Sequence, residues 1–71
     1  MAITRWTTRA NEKVGVGDMV ALSVLRYADA VGRIVAEADH GHIQCVLVRG
    51  HGKPGTFLRV EEDQLLVKVY G

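Results

Sequence analysis

From Val14 onward the chain is punctuated every eight to twelve residues by clusters of Gly, Asp and His, and the stretches between them are short runs rich in Val, Ile and Leu. That spacing is the signature of an all-β meander. The Gly15-Val16-Gly17-Asp18 turn signal opens a first strand over about Met19 to Leu25, with Val20, Leu22 and Val24 on one face and Met19, Ala21, Ser23 and Leu25 on the other. A second strand spans about Val31 to Ala38, and its Gly32 marks a sharp bend or a close backbone approach. Asp39-His40-Gly41 has tight-turn chemistry. The third strand, about His42 to Arg49, runs into Gly50-His51-Gly52-Lys53-Pro54-Gly55, a loop that Pro54 and the glycines keep out of any ladder. A fourth strand, Thr56 to Val60, sets Leu58 and Val60 against Phe57 and Arg59. After it, Glu61-Glu62-Asp63-Gln64 interrupts the pattern for about one helical turn. The fifth strand, Leu65 to Val69, presents Leu65, Val67 and Val69 together.

Residues 1–13 hold neither a twofold nor a 3.6-fold period and carry Ile3 and Trp6 as isolated large apolar residues. They read as a basic N-terminal arm, flexible or packed on the rest, ahead of a domain at 14–71. At 71 residues, folding buries only roughly 60% of the surface. A chain this small has no room for a deep two-walled cleft unless copies assemble.

The formal charge of +1 supplies no strong overall field, but its distribution is uneven. Arg5, Arg9 and Lys13 outweigh Glu12 at the start, whereas Glu61, Glu62 and Asp63 outweigh Lys68 at the end. The single cysteine, Cys45, lies in an apolar run and cannot staple a secreted mini-domain, which suits a reducing cytoplasm. No run approaches 18 consecutive apolar residues, and no secretory signal is expected.

Four strands in a meander, one 3₁₀-like turn and a short last strand resemble the SH3-like small β-barrel. The resemblance covers about residues 14–70 and rests on Val16-Gly17-Asp18-Met19-Val20, Val31-Gly32-Arg33-Ile34-Val35, and Phe57-Leu58-Arg59-Val60 followed by Glu61-Glu62-Asp63-Gln64-Leu65. It implies a five-stranded barrel and leaves activity open, since one fold hosts many functions.

Three histidines invite a metal reading. His42 and His51 fall at opposite ends of the third strand, whose ends roughly seven steps of ~3.4 Å hold about 24 Å apart, so only His40 and His42 could share an ion, and they are expected to be solvated turn residues. No cofactor is expected. The loop at 50–55 superficially resembles a phosphate-binding Gly-rich loop, but Pro54 follows Lys53 and a strand, not a helix, comes next. Arg26-Tyr27 stands where peptide-binding SH3 domains keep aromatics, yet the paired aromatics of a polyproline groove are missing. No nucleophile or acid–base constellation stands out. The type II dihydrofolate reductase, a tetrameric enzyme of this architecture, carries a Val-Gln-Ile-Tyr motif near the position of Phe57-Leu58-Arg59-Val60, where this chain has neither Gln nor Tyr.

Several strands are apolar on both faces, so Met19, Leu25, Val46, Val48, Leu66 and Tyr70 are expected to meet another surface. The leading expectation is a non-enzymatic, cytoplasmic and homo-oligomeric interaction module that docks a protein partner or a second copy through exposed strand faces and loops and engages no membrane. The alternative is a nucleic-acid-binding small barrel of the KOW or Sm-like kind using Arg5, Arg9, Arg33, Arg49, Lys53 and Arg59, with Trp6 either stacking on bases or folded back over the core.

Overall fold

The structure, a computed structural model, describes residues 4–25, 29–50 and 52–70. Among the described residues seven strands follow one another: β1 (Thr4–Thr7), β2 (Lys13–Gly15), β3 (Met19–Leu22), β4 (Val31–Glu37), β5 (Ile43–Arg49), β6 (Phe57–Val60) and β7 (Leu65–Val69). Three-residue 3₁₀ turns stand at Asp39–Gly41 and Glu62–Gln64, and there is no α-helix among the described residues. The chain is all-β. Strands β1 and β2 pair as a hairpin, and the other five form one antiparallel sheet in the order β6-β5-β4-β3-β7.

Local chemistry sets the turns. Between β2 and β3, Gly17 takes φ +98° and the Asp18 carboxylate accepts from the Gly15 N–H at 2.9 Å, an arrangement that suits Gly, which has no Cβ to clash at positive φ, and Asp, whose short carboxylate reaches nearby backbone. Before β7, Glu61 and Gln64 form a reciprocal capping box. The Gln64 side-chain amide then donates to the Ser23 carbonyl at 2.9 Å, and the Ser23 N–H donates to the Gln64 carbonyl at 2.9 Å, tying the turn to the end of β3.

Four register breaks bend the sheets. One has a direct bearing on the sequence reading. Ala21 faces Val67 and Leu22 faces Leu65, so Leu66 is the extra residue and the strand changes parity across it. Leu65 is fully buried beside Leu22, whereas Val67 is exposed. The expected common face of Leu65, Val67 and Val69 is thereby corrected: Val67 and Val69 share the opposite face, with Ala21 and Met19. The first strand is also shorter than expected. It ends at Leu22, and Leu25 lies beyond it in a turn, fully exposed.

The core unites both sheets. Trp6 and Val14 from the hairpin join Val20, Leu22, Ala30, Ile34, Ile43, Cys45, Leu47, Val60 and Leu65 in one cluster. Residues 4–13, read from sequence as an arm, are therefore most of a hairpin that lies against the core. A boundary between residues 13 and 14 would cut through β2. Polar groups fasten the hairpin as well: the Arg9 N–H donates to the Leu65 carbonyl at 2.8 Å, and the Lys68 N–H to Glu12 Oε1 at 2.7 Å. The Thr7 N–H donates to Glu62 at 2.8 Å, and Arg5 bridges Glu37 at 2.7 Å.

Gly32 is a close-approach glycine. A Cβ there would stand 2.8 Å from Leu22 Cδ1 and 3.3 Å from the Val46 carbonyl oxygen, so a side chain at this position would require Leu22 to turn away and the β5 backbone to give by a few tenths of an ångström.

Candidate functional site

One face of the five-stranded sheet packs against the hairpin, and the ladder register defines what the other face carries. Directly opposed residues share a face. Starting from β6, Phe57 faces Val46, Val46 faces Arg33, Arg33 faces Met19 and Met19 faces Val69, so one continuous row crosses all five strands. A parallel row runs Val67, Ala21, Val31, Arg49. Beside Phe57, Arg59 lies opposite Gln44.

This outer face is apolar and cationic together. Phe57 is 65% exposed, Tyr70, just past β7, is 77% exposed, and Val48 and Val67 are also solvent-facing. Val31 is buried at 7% exposure yet stands apart from the core cluster, which places it in a second, outer apolar group. Arg33, Arg49 and Arg59 are all exposed, and none of them makes a side-chain ion pair among the described residues.

Depressions lined by described residues mark the face, and three of them bear on what it could hold. Met19, Val31, Val48, Arg49, Val69 and Tyr70 line one of about 210 Å³. Its neighbour shares Val31, Arg49 and Val69 and adds Ala21, Leu66 and Asp29, the one carboxylate in any of the three. At the β6 end, Gln44, Phe57, Leu58 and Arg59 line the third. The Lys68 ammonium sits 5.2 Å from the centre of the Tyr70 ring, within the range of a cation–π contact.

The residues singled out from sequence divide accordingly. Met19, Val46, Val48, Leu66 and Tyr70 lie on or beside the outer face, and Leu25 does not join them. Of the basic candidates, Arg33, Arg49 and Arg59 converge there. Arg5 is occupied by Glu37, and Trp6 is a core residue at 9% exposure, so no free indole face stands beside Arg5 and Arg9. Arg9 is exposed on the hairpin turn, and Lys53 is exposed in the β5–β6 loop. Val31 and Val69 were not flagged as outward by the sequence reading. Val69 is turned outward by the extra residue at Leu66, and Val31, which alternates plainly with Arg33 along β4, is placed on the outer face by its pairing with Ala21 and Arg49. Phe57 and Arg59 were placed on the face opposite Leu58 and Val60, which is where they lie.

His40 is exposed in the 3₁₀ turn at φ +61°, and His42 Nδ1 lies 3.1 Å from the Asp39 carbonyl oxygen. Among the described residues no three His, Cys, Asp or Glu groups come together as a metal site. His51, Arg26, Tyr27 and Ile3 lie outside the described residues. Cys45 is buried in β5 and burial pushes its thiol up to about 11, which keeps it protonated and unreactive at neutral pH. No described helix is long and apolar enough to cross a membrane. Comparisons with protein-family models, with curated proteins and with solved structures return no match.

Proposed function

We propose that this chain is a non-enzymatic, cytoplasmic docking module with an SH3-like barrel fold, and that it works by seating an extended partner across the outer face of its five-stranded sheet. The five-stranded sheet is open among the described residues, with β6 and β7 at its edges, so the expected closed barrel is not seen; what supports the SH3-like reading is that the last strand returns beside the first of the five and that a 3₁₀ turn delivers it there. The observation that carries the function is the uncovered outer face, where a row from Phe57 to Val69 sets apolar side chains on both sides of Arg33. A surface that keeps so many apolar groups in one patch is a binding surface by default.

A second copy laid face to face is the weaker occupant. A twofold pairing brings the same patch of both copies together, residue i meeting j and j meeting i, so the three exposed arginines of each copy would share one interface with the other's three and concentrate like charge there.

An anionic, aromatic probe tests the face. 8-Anilinonaphthalene-1-sulfonate is expected to bind the native protein with a fluorescence gain that Phe57→Ser and Arg33→Glu each remove while the thermal melt stays cooperative. Absence of any gain with the folded protein, or a gain that both substitutions leave intact, refutes docking at this face. Light scattering at two concentrations checks the stoichiometry, with a 7.8 kDa monomer expected.

A further inference from the structure

We infer that the extended partner is single-stranded nucleic acid, its bases stacking at Phe57 and Tyr70 and its phosphates meeting Arg33, Arg49 and Arg59. This rests on the docking reading above and specifies its ligand.

Three features of the face select that chemistry. First, the charge is one-sided: three arginines project from it without carboxylate partners among the described residues, and Asp29 at the edge beside Arg49 is the single acid lining its depressions. An anionic partner is the complement. Second, each exposed aromatic ring of the face shares a depression with an arginine. At the β6 end Phe57 and Arg59 share a depression with the Gln44 amide, which can donate to and accept from a base edge. Toward β7, Tyr70 lines another with Met19, Val31 and Val69, and Arg49 of β5 lines it from the far side. Arg33 stands in the row between them. Four inter-strand spacings of ~4.8 Å separate β6 from β7, roughly 19 Å, a span suited to the short end of the 4–16 nucleotide sites that sheet-based single-strand binders cover.

Third, a sheet face discriminates between an anionic peptide and a nucleic acid strand. The backbone donors and acceptors of the inner strands are used within the ladder, so an extended peptide lying on the face finds no main-chain partners; it adds to an edge instead. A nucleic acid strand needs none. Its polar groups are phosphates, which guanidinium groups match in geometry, and every base has a π-face for an exposed ring. A duplex hides those faces inside its stack.

The test is fluorescence anisotropy with a labelled dT12 strand and its rU12 counterpart, at 50 and 200 mM salt. With three phosphates neutralised, the logarithm of affinity is expected to fall with the logarithm of salt at a slope of about −2, from ~0.7 per phosphate, so that fourfold more salt weakens binding roughly twentyfold. Arg33→Ala is expected to reduce the slope by about 0.7. Phe57→Ala and Tyr70→Ala are expected to weaken binding at least fivefold with the slope unchanged, because they remove stacking and no charge. All three side chains are exposed, so their melts serve as folding controls. Failure to bind either strand at 50 mM salt overturns the nucleic-acid assignment. If anilinonaphthalene sulfonate still binds in a Phe57-dependent manner, the docking face stands and only its ligand is wrong; if neither binds, both readings fall. Equal or tighter binding of a 12-base-pair duplex, or of a dodecapeptide alternating glutamate and leucine, also overturns the assignment.

Discussion

The two faces of the five-stranded sheet are built from much the same aliphatic residues and have opposite fates. On the inner face, Val20, Ile34, Ile43, Cys45, Leu47 and Leu65 are almost completely buried, closed over by Trp6 and Val14 of the hairpin. On the outer face, Met19, Val46, Val48, Val67 and Val69 stay partly or fully accessible, and arginines interrupt them. Hydropathy hardly separates the two sets. What separates them is a cover, and that cover is twelve residues of hairpin fastened by Arg9, Glu12 and Thr7. An inner residue should therefore matter to folding, and an outer residue of equal size should matter only to binding.

The sharpest way to break this contrast is to compare the two large aromatics. Trp6→Ala empties the lid of the core and is expected to cost about 3–5 kcal/mol. At ~0.05–0.15 kcal/mol per residue the whole domain has on the order of 4–10 kcal/mol to lose, so this variant should be partly unfolded at 37 °C. Phe57→Ala, on the open face, is expected to change stability by no more than ~0.5 kcal/mol. Urea titrations of the two variants decide it. Equal losses would show that the outer face is part of the core in solution.

Gly32→Ala probes the spacing between the faces. Its Cβ would meet Leu22 Cδ1 at 2.8 Å, a side-chain end that can rotate, and the Val46 carbonyl at 3.3 Å, which cannot. The expected loss is about 1–3 kcal/mol. Combining it with Leu22→Val, which shortens the mobile neighbour, should recover part of the packing conflict, so the double variant loses less than the sum of the two singles. Strict additivity in the denaturation midpoints would remove Leu22 as the obstacle.

These two sites also show what could be read in the sequence and what could not. The five strands of the large sheet announce themselves through turn chemistry: Gly17-Asp18 opens a run of alternating residues, Asp39-His40-Gly41 and the Glu61–Gln64 turn each end one, and Gly32 is recognisable as a bend or close-approach position. The hairpin was not, because Thr4–Thr7 holds one large apolar side chain and β2 only three residues, too short for any period to register. The outer face was half legible. Parity places Met19, Val46 and Phe57 outward, yet the extra residue at Leu66 moves Val67 and Val69 across the strand, and no local pattern signals a bulge whose position is set by the neighbouring strand. The three arginines were visible as residues; their convergence required the register that puts β4, β5 and β6 side by side.

Cys45 reports on the inner face by titration. Burial raises its thiol from an ordinary 9.0 to about 11, so between those values the native state keeps a proton that the unfolded chain releases. Unfolding is thus favoured as pH rises through that window, and the stability associated with the neutral thiol is complete below pH 9 and lost toward pH 11. The melting temperature of the wild type should fall more steeply from pH 9 to 11 than that of Cys45→Ala. Parallel curves would mean that the thiol is already solvated in the native protein.

The smallest expected effect is the most specific to the outer face. Asp29 sits at the edge of the depression that Arg49 lines and takes φ +54°, a left-handed conformation that Asn accepts as readily as Asp. Asp29→Asn therefore removes one negative charge without altering what the backbone must do. If the face receives phosphates, taking away its single carboxylate should strengthen binding of the dT12 strand about two- to threefold at 50 mM salt, and the gain should shrink at 200 mM, where a shorter Debye length screens an exposed charge more effectively. Stability should not move by more than ~0.5 kcal/mol. A partner held by apolar contact alone would be indifferent to this substitution at either salt concentration, and a cationic partner would be weakened by it, so the sign of a small change distinguishes what kind of molecule the uncovered face is built to hold.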